Sequence, residues 1–470
     1  MDRRLGGCLY LAPEGGDLTV VTDAGLSARL NLPAGARAVE PSGGALNGLG
    51  SIDGAESVLI LASTRLSDAA VRKRLSKAGF DLLSSHIVMP SFSNPRWLLP
   101  NDRNLIRNCG NIVKPSSLKA KTAWRVTKAL NIAGRPELVF PYRVIVAARA
   151  DSRHSGGVLK AFLSRVLNED GIDLVIYTGA NGYYQKFTAQ VMDRQAATIA
   201  YAKIASTVQA RKRVEDESKA LKGLGSIKLS RMKTPVHVFF GTIDGGGDTV
   251  LVQTPPPAGF SEVARVLDER HASALSELFE KTNIAVKGSQ VIARAEASLK
   301  RLSGARGTQR QLIEAVEGGI KRLRAALDGK DLRLGLSHGD FTPWNVYLKG
   351  QELFVFDWEL AAMRAPLWDI YNFILHSETL ISGRDAKGIF AELKAERYSK
   401  LTGLYEERTG TGANDTFALL SLYLVEVLLH YIDVAARHEE AGLKRDTEGE
   451  KVTRNASMLL GLALDHIGNA

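Results

Sequence analysis

The chain contains the stretch HGDFTPWN at residues 338–345, followed by FVFDWE at residues 354–359. Gly339 and Pro343 predict a loop for the first stretch, because neither residue continues a regular helix or strand. The second stretch begins with a short apolar run, which predicts a strand that ends at Asp357. Together the two stretches predict a loop and a strand joined by a hairpin, and this arrangement decides the fold of the region around it.

Three polar side chains lie at the ends of these predicted elements, namely Asp340 and Asn345 in the loop and Asp357 after the strand. Carboxylate and amide oxygens are the ligands that hard divalent cations prefer. The spacing allows Asn345 and Asp357 to share a cation across the hairpin, while Asp340 faces an acceptor hydroxyl and accepts its proton. A metal and a base in this arrangement are what phosphoryl transfer requires.

The charge that neutralises the phosphates is expected from a separate, strand-rich part of the chain. Lys203 lies on a predicted strand, and Glu217 on the following helix can pair with its ammonium group and keep the side chain extended. Lys186 is the alternative phosphate ligand. The turn from Gly179 to Gly182 offers backbone N–H groups to phosphate oxygens.

A chain of 470 residues is expected to form two or three domains. Residues 1–150 predict a small α/β domain, in which a strand, the helix 67–78 and a further strand suggest a parallel crossover unit. Their order loosely resembles the second half of a Rossmann-like methyltransferase domain, without the glycine motif that holds a cofactor. Residues 151–257 are rich in predicted strands, and residues 258–470 are mostly helical.

Composition is that of a globular protein, with 45% hydrophobic and 24% charged residues. Cys8 and Cys109 form neither a disulfide framework nor a metal-binding spacing, which predicts a reducing, cytoplasmic location. The first residues lack the apolar segment of a signal peptide. Residues 417–434 are the most apolar segment, but three ionisable residues interrupt them, which predicts a buried helix and no transmembrane segment.

The formal net charge is +10, and residues 1–150 contain 20 basic and 11 acidic residues. A basic region can attract nucleic acid or an anionic surface. We do not expect nucleic acid as a partner, because no motif that combines aromatic and basic residues accompanies the charge. A solvated basic surface is the simpler interpretation, and peripheral contact of this region with a membrane stays open as an alternative.

The site residues resemble a known pattern. The motif H-x-D-x-x-x-x-N of the aminoglycoside phosphotransferase and choline kinase-like family, relatives of the protein kinases, is present as His338, Asp340 and Asn345. The family's metal-binding aspartate corresponds to Asp357, and the aspartate that braces the catalytic loop corresponds to Asp369. The resemblance implies that Asp340 acts on the acceptor and that Asn345 and Asp357 hold Mg²⁺. We expect His338 to organise the loop through hydrogen bonds and not to act as an acid or base.

The resemblance covers about residues 170–470 and implies an α+β, two-lobed protein-kinase-like fold that uses ATP and Mg²⁺. It implies a set of nucleotide-binding residues, which are Lys203, Glu217, Gly179, Gly182, Gln253 and Thr254. The last two lie in a hinge that would meet adenine through its backbone. The lysine, the glutamate and the glycine turn match the family less closely than the catalytic loop does. Glu359 could contact a second metal ion, although a structural role is the expectation.

Only eleven residues separate Asp357 from Asp369. A protein kinase needs a longer segment there to dock a peptide and ends it with Ala-Pro-Glu, which this chain does not have at that position. The acceptor is therefore predicted to be a small molecule such as a sugar, an amino sugar or an amino alcohol. The alternative is a nucleotide-binding scaffold of weak activity in a biosynthetic or polysaccharide pathway.

Overall fold

A computed structural model of the chain describes residues 3–12, 18–23, 26–27, 30, 32, 36–41, 44–46, 55–109, 122, 124–126, 129, 138–149, 157–179, 182–243, 247–302, 310–410, 416–443 and 447–467. The chain forms two compact units. The first consists of residues 1–214 and 238–255, and the second of residues 215–237 and 256–470. The first is rich in strands and the second in helices, which confirms the expected α+β class.

The strands are β1 (Leu18–Thr22), β2 (Arg37–Val39), β3 (Ser57–Ser63), β4 (Phe80–Ser91), β5 (Asn94–Pro100), β6 (Tyr142–Arg149), β7 (Asp173–Tyr177), β8 (Phe187–Met192), β9 (Thr198–Ala205), β10 (Met232–Lys233), β11 (His237–Thr242), β12 (Thr249–Gln253), β13 (Glu262–Val263), β14 (Ile284–Lys287), β15 (Asp331–Ser337), β16 (Val346–Lys349), β17 (Glu352–Val355) and β18 (Ala362–Arg364). The α-helices are α1 (Asp68–Lys77), α2 (Arg103–Asn108), α3 (Val158–Leu167), α4 (Val208–Gly225), α5 (Glu269–Thr282), α6 (Gly288–Leu302), α7 (Arg310–Leu327), α8 (Trp368–His376), α9 (Ala386–Lys394), α10 (Glu396–Thr409), α11 (Thr416–Glu440) and α12 (Thr447–Leu464).

One sheet of eleven strands organises the first unit, in the order β11-β12-β9-β8-β7-β5-β4-β6-β3-β1-β2. The apolar run of β3 is buried on both faces, with Leu59 and Leu61 in one core cluster and Val58 and Ile60 in another. A strand buried on both sides needs such a continuous apolar run instead of an alternating one. The apolar run of β3 therefore fits a strand that is covered on both faces of the sheet.

The predicted strand–helix–strand unit of the N-terminal region is present, with one addition. The helix α1 begins after Ser67, whose hydroxyl accepts a hydrogen bond from Ala70 N at 3.4 Å, and ends before Gly79. Both β3 and β4 pair antiparallel with β6, so β3 and β4 are parallel to each other and β6 lies between them. The crossover therefore skips one strand position, because a later part of the chain inserts there.

The N-terminal strands and the strands after residue 150 form one sheet. Strand β5 pairs with β7, with Trp97 opposite Tyr177 and Leu98 opposite Ile176. Residue 150 therefore lies inside a single compact unit, whereas the expected boundary after residue 257 lies next to the division between Pro255 and Pro256. The three-part domain organisation stays a prediction.

The second unit contains α5 to α12, a four-stranded sheet in the order β10-β17-β16-β13 and a three-stranded sheet in the order β14-β15-β18. Within the part of the chain that the structure describes, α11 is the one helix long and apolar enough to cross a membrane, and 67% of its apolar window is buried inside the protein. Such burial is typical of a core helix, as the sequence predicts. Strands β15, β16 and β17 present the residues of the candidate site.

Candidate active site

A β-hairpin brings Asn345 and Asp357 to one end of the four-stranded sheet. Strands β16 and β17 pair antiparallel, with Val346 opposite Val355. Beyond this pair, the backbone N–H of Phe356 donates to the carbonyl oxygen of Asn345 at 3.2 Å. Asn345 precedes β16 and Asp357 follows β17, so the hairpin predicted from the sequence places these two residues at the same end of the sheet.

The backbone turns sharply at Asp357, which has a φ of 73°. This left-handed conformation is uncommon for a residue other than glycine, although aspartate tolerates it better than most. The following Trp358 is fully buried, and its indole N–H donates to the carbonyl oxygen of Val355 at 2.8 Å. The buried indole holds the turn, whose backbone conformation costs about 1–3 kcal/mol by itself.

The loop that follows β15 is held by a carboxylate from α8. Asp369 accepts the backbone N–H groups of His338 at 2.7 Å and of Gly339 at 3.0 Å. Gly339 has a φ of 82°, and a Cβ atom there would lie 2.2 Å from the carbonyl oxygen of Leu360, so only glycine fits. These contacts are those expected of a residue that braces the loop.

His338 joins the loop to the hairpin. Its ring is fully buried, Nδ1 accepts the backbone N–H of Asp340 at 3.1 Å, and Nε2 lies 3.0 Å from the carbonyl oxygen of Phe356. Since Nδ1 accepts, the proton is on Nε2 and is donated to that carbonyl. The ring also contacts the edge of Trp358, with 4.6 Å between the ring centroids. Both nitrogens bind backbone groups, which is the organising role predicted for this residue.

Asn345 orients Asp340. The amide Nδ2 donates to the backbone carbonyl oxygen of Asp340 at 3.0 Å and to its carboxylate Oδ2 at 2.8 Å. Asn345 is 5% exposed, so its orientation is fixed by packing as well. Because the NH₂ group points to Asp340, the atom of Asn345 that could bind a cation is Oδ1.

Three carboxylates lie together in the second unit. Oxygen atoms of Glu217, Asp357 and Glu359 are all within 4.8 Å of one another, and Glu217 is fully buried. Hard oxygen donors at this spacing fit a divalent cation such as Mg²⁺. The sequence led us to place Glu217 beside Lys203 and gave no signal that it lies near Asp357, because the two residues are far apart in the chain.

The predicted nucleotide-binding residues other than Glu217 lie in the first unit. Lys203 is on β9, opposite Thr188 of β8 and Leu251 of β12, and is 6% exposed. Lys186, the alternative phosphate ligand, precedes β8 and is half-buried. A lysine on a strand with paired neighbours on both sides has a fixed backbone, which suits a side chain that must reach a phosphate in one direction.

The glycine turn precedes β8 and the predicted hinge residues lie at the end of β12, and both of these strands pair with β9. Gly179 has a φ of 75°, and a Cβ atom there would lie 2.6 Å from the carbonyl oxygen of Lys186. Gly182 accepts a hydrogen bond from Gln185 N at 3.2 Å, and the two residues between the glycines lie outside the described ones. Gln253 ends β12 and is 4% exposed, and Thr254 follows it.

A cavity of about 880 Å³ lies beside Asp340 in the second unit. One wall contains Trp368, whose indole N–H donates to Glu426 Oε2 at 2.7 Å, and the guanidinium of Arg364, which lies 3.8 Å above the Trp368 ring. Burial raises the pKa of Glu426 above its usual value, although Arg364 opposes the shift. Sequence reasoning missed these residues, since each comes from a different element and none belongs to a recognisable motif.

A buried histidine forms another part of the cavity wall. His376 Nδ1–H donates to the carbonyl oxygen of Asn372 at 2.9 Å, and Nε2 lies 3.0 Å from the hydroxyl of Tyr431. Burial lowers the pKa of His376 to about 4, so its ring is neutral at physiological pH. The cavity therefore has a neutral polar surface at this end.

One family model matches part of the chain. Residues 240–407 match the phosphotransferase enzyme family, which confirms the resemblance found in the sequence. No curated protein matches the sequence significantly.

Solved structures similar to this chain include choline kinase LicA from Streptococcus pneumoniae, with 15% identity, coverage of 65% of this chain and 98% of the other, and a TM-score of 0.44. A choline/ethanolamine kinase family protein from Mesorhizobium loti has 15% identity, with coverages of 61% and 90% and a TM-score of 0.42. A thermostable mutant of aminoglycoside phosphotransferase APH(4)-Ia has 12% identity, with coverages of 66% and 100% and a TM-score of 0.41.

Proposed function

Because residues 240–407 match the phosphotransferase enzyme family, we propose that the chain transfers the γ-phosphoryl group of ATP to a hydroxyl group of a small molecule. A sugar, an amino sugar or an amino alcohol is the proposed class of acceptor. The observation that carries the proposal is the position of Asp340. Its carboxylate is oriented by Asn345 and lines a cavity large enough for such an acceptor.

The proposed metal ligands are Asn345 Oδ1 and Asp357, and Glu217 and Glu359 lie close enough to Asp357 to contribute oxygens. All of these are hard donors, which fits Mg²⁺. When bound, Mg²⁺ would neutralise charge on the β- and γ-phosphates. The hydrogen bond from Asn345 holds Asp340 in place at the same time, so one amide serves both the metal and the base.

In the proposed reaction, the acceptor oxygen forms a bond to the γ-phosphorus as the bond to the bridging oxygen breaks. The electron pair of that bond leaves with ADP, and the hydroxyl proton passes to the carboxylate of Asp340. Asp369 and His338 do not contact the reacting atoms. Their hydrogen bonds hold the backbone that leads into Asp340, and they act as positioning residues.

Lys203 is the proposed ligand of the phosphates, with Lys186 as the alternative. Gly179 and Gly182 would offer backbone N–H groups to phosphate oxygens, and we assign adenine to the backbone of Gln253 and Thr254. The last assignment follows the resemblance, and these residues lie at the end of a strand that pairs with the Lys203 strand.

The short segment between Asp357 and Asp369 supports a small acceptor. It contains only the three-residue strand β18 before the first turn of α8. A peptide acceptor would need a longer segment to dock against. We also propose a cytoplasmic location, since both cysteines are free thiols and are buried.

A screen of ADP release tests the proposal. Purified full-length protein is mixed with ATP, Mg²⁺ and a panel of sugars, amino sugars and amino alcohols, and ADP is measured with each acceptor and without any. Release that depends on one class of acceptor supports the proposal. Binding of Mg·ATP with no acceptor-dependent release from a broad panel would instead favour the nucleotide-binding scaffold.

A further inference from the structure

We propose that the side-chain amide of Gln253 hydrogen-bonds the adenine base of the bound nucleotide. The inference rests on the proposed function and deepens it at the nucleotide, because the resemblance assigns adenine to backbone groups and gives this side chain no role. Gln253 is the last residue of β12 and is 4% exposed. A polar side chain buried to this degree is normally hydrogen-bonded inside the protein.

The amide of Gln253 departs from that rule. Its Oε1 atom is fully buried, and within the part of the chain that the structure describes neither polar atom of the amide has a hydrogen-bond partner. A buried amide without partners destabilises the folded state, because it gives up hydrogen bonds to water and gains none in return. Such a group in a binding protein is explained by a ligand that completes its hydrogen bonds.

Gln253 lies on the same face of the eleven-stranded sheet as Lys203, the proposed ligand of the phosphates. It is directly opposite Tyr201 of β9, and Lys203 is two residues further along that strand. Opposed residues share a face, as do residues two apart on a strand, so Gln253 and Lys203 are diagonal neighbours with Cα atoms about 7–8 Å apart. Ala202 and Val252, on the other face, belong to the apolar core. One face of the sheet therefore offers groups for both the base and the phosphates.

The segment that follows β12 is poor in donors for a base. Residues 255–257 are three consecutive prolines, and proline has no backbone N–H. Adenine presents an amine that donates and a ring nitrogen that accepts, so it needs an acceptor and a donor side by side. Backbone carbonyl groups can accept from the amine, but these prolines cannot donate to the ring nitrogen. A glutamine amide carries both functions and pairs with adenine through two parallel hydrogen bonds.

A second buried glutamine lies in the same row and has a different environment. Gln190 of β8 is opposite Tyr201 from the other side and is fully buried. Its Nε2 donates to Thr198 Oγ1 at 2.6 Å, which fixes the amide and uses its donor. The amide of Gln253 has no such anchor and keeps both its donor and its acceptor for a ligand. We therefore assign the base to Gln253 and not to Gln190.

Binding of paired nucleotides tests the inference and needs no acceptor. Calorimetry on the full-length protein compares Mg·ATP with the Mg²⁺ complex of purine riboside triphosphate, which lacks the amine of adenine. We expect the parent to bind ATP about tenfold more tightly than the analogue. In Gln253→Leu, which removes both polar groups at similar size, this ratio should fall towards one. Mg²⁺ tripolyphosphate has no base and should bind the parent and the variant equally.

Gln195→Leu is the matched control, since Gln195 is exposed in the turn between β8 and β9. Its ratio should equal that of the parent. Gln253→Met, with an unbranched apolar side chain, provides the same measurement if the leucine variant does not fold. Equal binding of the two nucleotides by the parent, or an unchanged ratio in the Gln253 variant, would overturn the inference. If ATP binds but no acceptor releases ADP, the proposed transfer fails, and the same ratios still decide the contact with the base.

Discussion

At the scale of single residues, Asp340 is placed by its neighbours and not by its own strand. Its backbone N–H donates to His338, and both its carbonyl and its carboxylate accept from Asn345. A residue that is held by three hydrogen bonds keeps its orientation. The motif that predicts this site in the sequence is short because these contacts are local, and this is why the residues could be found without a structure.

Asp340→Asn should lower kcat by about 10²- to 10⁴-fold, since an amide cannot accept the proton of the acceptor. The size of the side chain is unchanged, so binding of ATP should stay nearly the same. Steady-state kinetics and calorimetry with Mg·ATP measure the two effects. Asp328→Asn, an exposed position at the end of α7, is the control and should behave as the parent. Turnover of Asp340→Asn equal to that of the control would contradict the assignment of Asp340.

Asp357→Asn should abolish the stabilisation by Mg·ATP, because the substitution removes a charged metal ligand. We prefer asparagine to alanine because asparagine also tolerates the left-handed backbone at this position. Thermal unfolding with and without Mg·ATP provides the measurement, and nucleotide without Mg²⁺ serves as the control. A shift in Tm with Mg·ATP as large as that of the parent would exclude a metal role for Asp357.

At the scale of elements, the candidate site depends on hydrogen bonds between helix α8 and the loop that contains Asp340. Asp369 in the first turn of α8 binds the two backbone N–H groups that precede Asp340. The pairing of a hairpin and the position of an aspartate near a helix start are predictable from local sequence. The position of Glu217 beside the hairpin is not, because only packing between a helix and a distant strand brings the two together.

Asp369→Ala should lower the free energy of unfolding by about 1–3 kcal/mol, since two buried N–H groups lose their acceptor, and should lower kcat as well. Asp385→Ala is the matched control. Asp385 caps α9 by accepting the backbone N–H of Gly388 at 2.8 Å, away from the described site. Its loss should destabilise the protein by about 1 kcal/mol without lowering kcat. Urea denaturation and kinetics of both variants separate the two effects, and an unchanged kcat for Asp369→Ala would rule out its positioning role.

A carboxylate with a shifted pKa also holds the segment that precedes strand β10. Glu277 of α5 accepts hydrogen bonds from Ser230 N at 2.8 Å, from the Ser230 hydroxyl at 2.9 Å and from Arg231 N at 2.9 Å. Burial alone would raise the pKa of Glu277, but these hydrogen bonds outweigh it and lower the pKa to about 2. The carboxylate thus anchors the segment that enters β10.

This shift predicts how stability depends on pH. Because the pKa is lower in the folded than in the unfolded state, the contribution of Glu277 is complete above the unfolded pKa of about 4.3 and is lost as the pH falls towards 2. Glu277→Gln should therefore lower the free energy of unfolding by about 1–3 kcal/mol at pH 7 and by less at pH 3. Glu314→Gln, in an exposed ion pair with Arg310, is the control. A loss for Glu277→Gln that does not depend on pH would contradict the linkage.

At the scale of the whole molecule, the sequence predicts the α+β class and the loop around Asp340 but not the extent of the eleven-stranded sheet. The apolar run of β3 and the capped helix α1 could be predicted because their signals are local. The insertion of β6 between β3 and β4, and the pairing of β5 with β7, join residues that are distant in the chain. No periodicity within one segment encodes such a partner.

The residues of the cavity wall could not be predicted from the sequence either, because they also come from distant parts of the chain. Arg294, Arg364 and Glu426 come from α6, β18 and α11, and each is unremarkable in its own segment. Their position around one cavity depends on tertiary packing alone. A motif can therefore predict the residues of the loop around Asp340, whereas the residues of the cavity wall can be identified only in the folded molecule.

The β5–β7 pairing also decides how the basic N-terminal region can be studied. Cutting the chain near residue 150 would leave the backbone N–H and C=O groups of β7 without a neighbour on one side, and exposed edge strands of this kind promote aggregation. Neither half of the sheet is expected to behave as an independent soluble fragment. Membrane or anion binding by residues 1–150 is thus a property to be measured by charge substitutions in the full chain, where the sheet remains closed to new strands at this position.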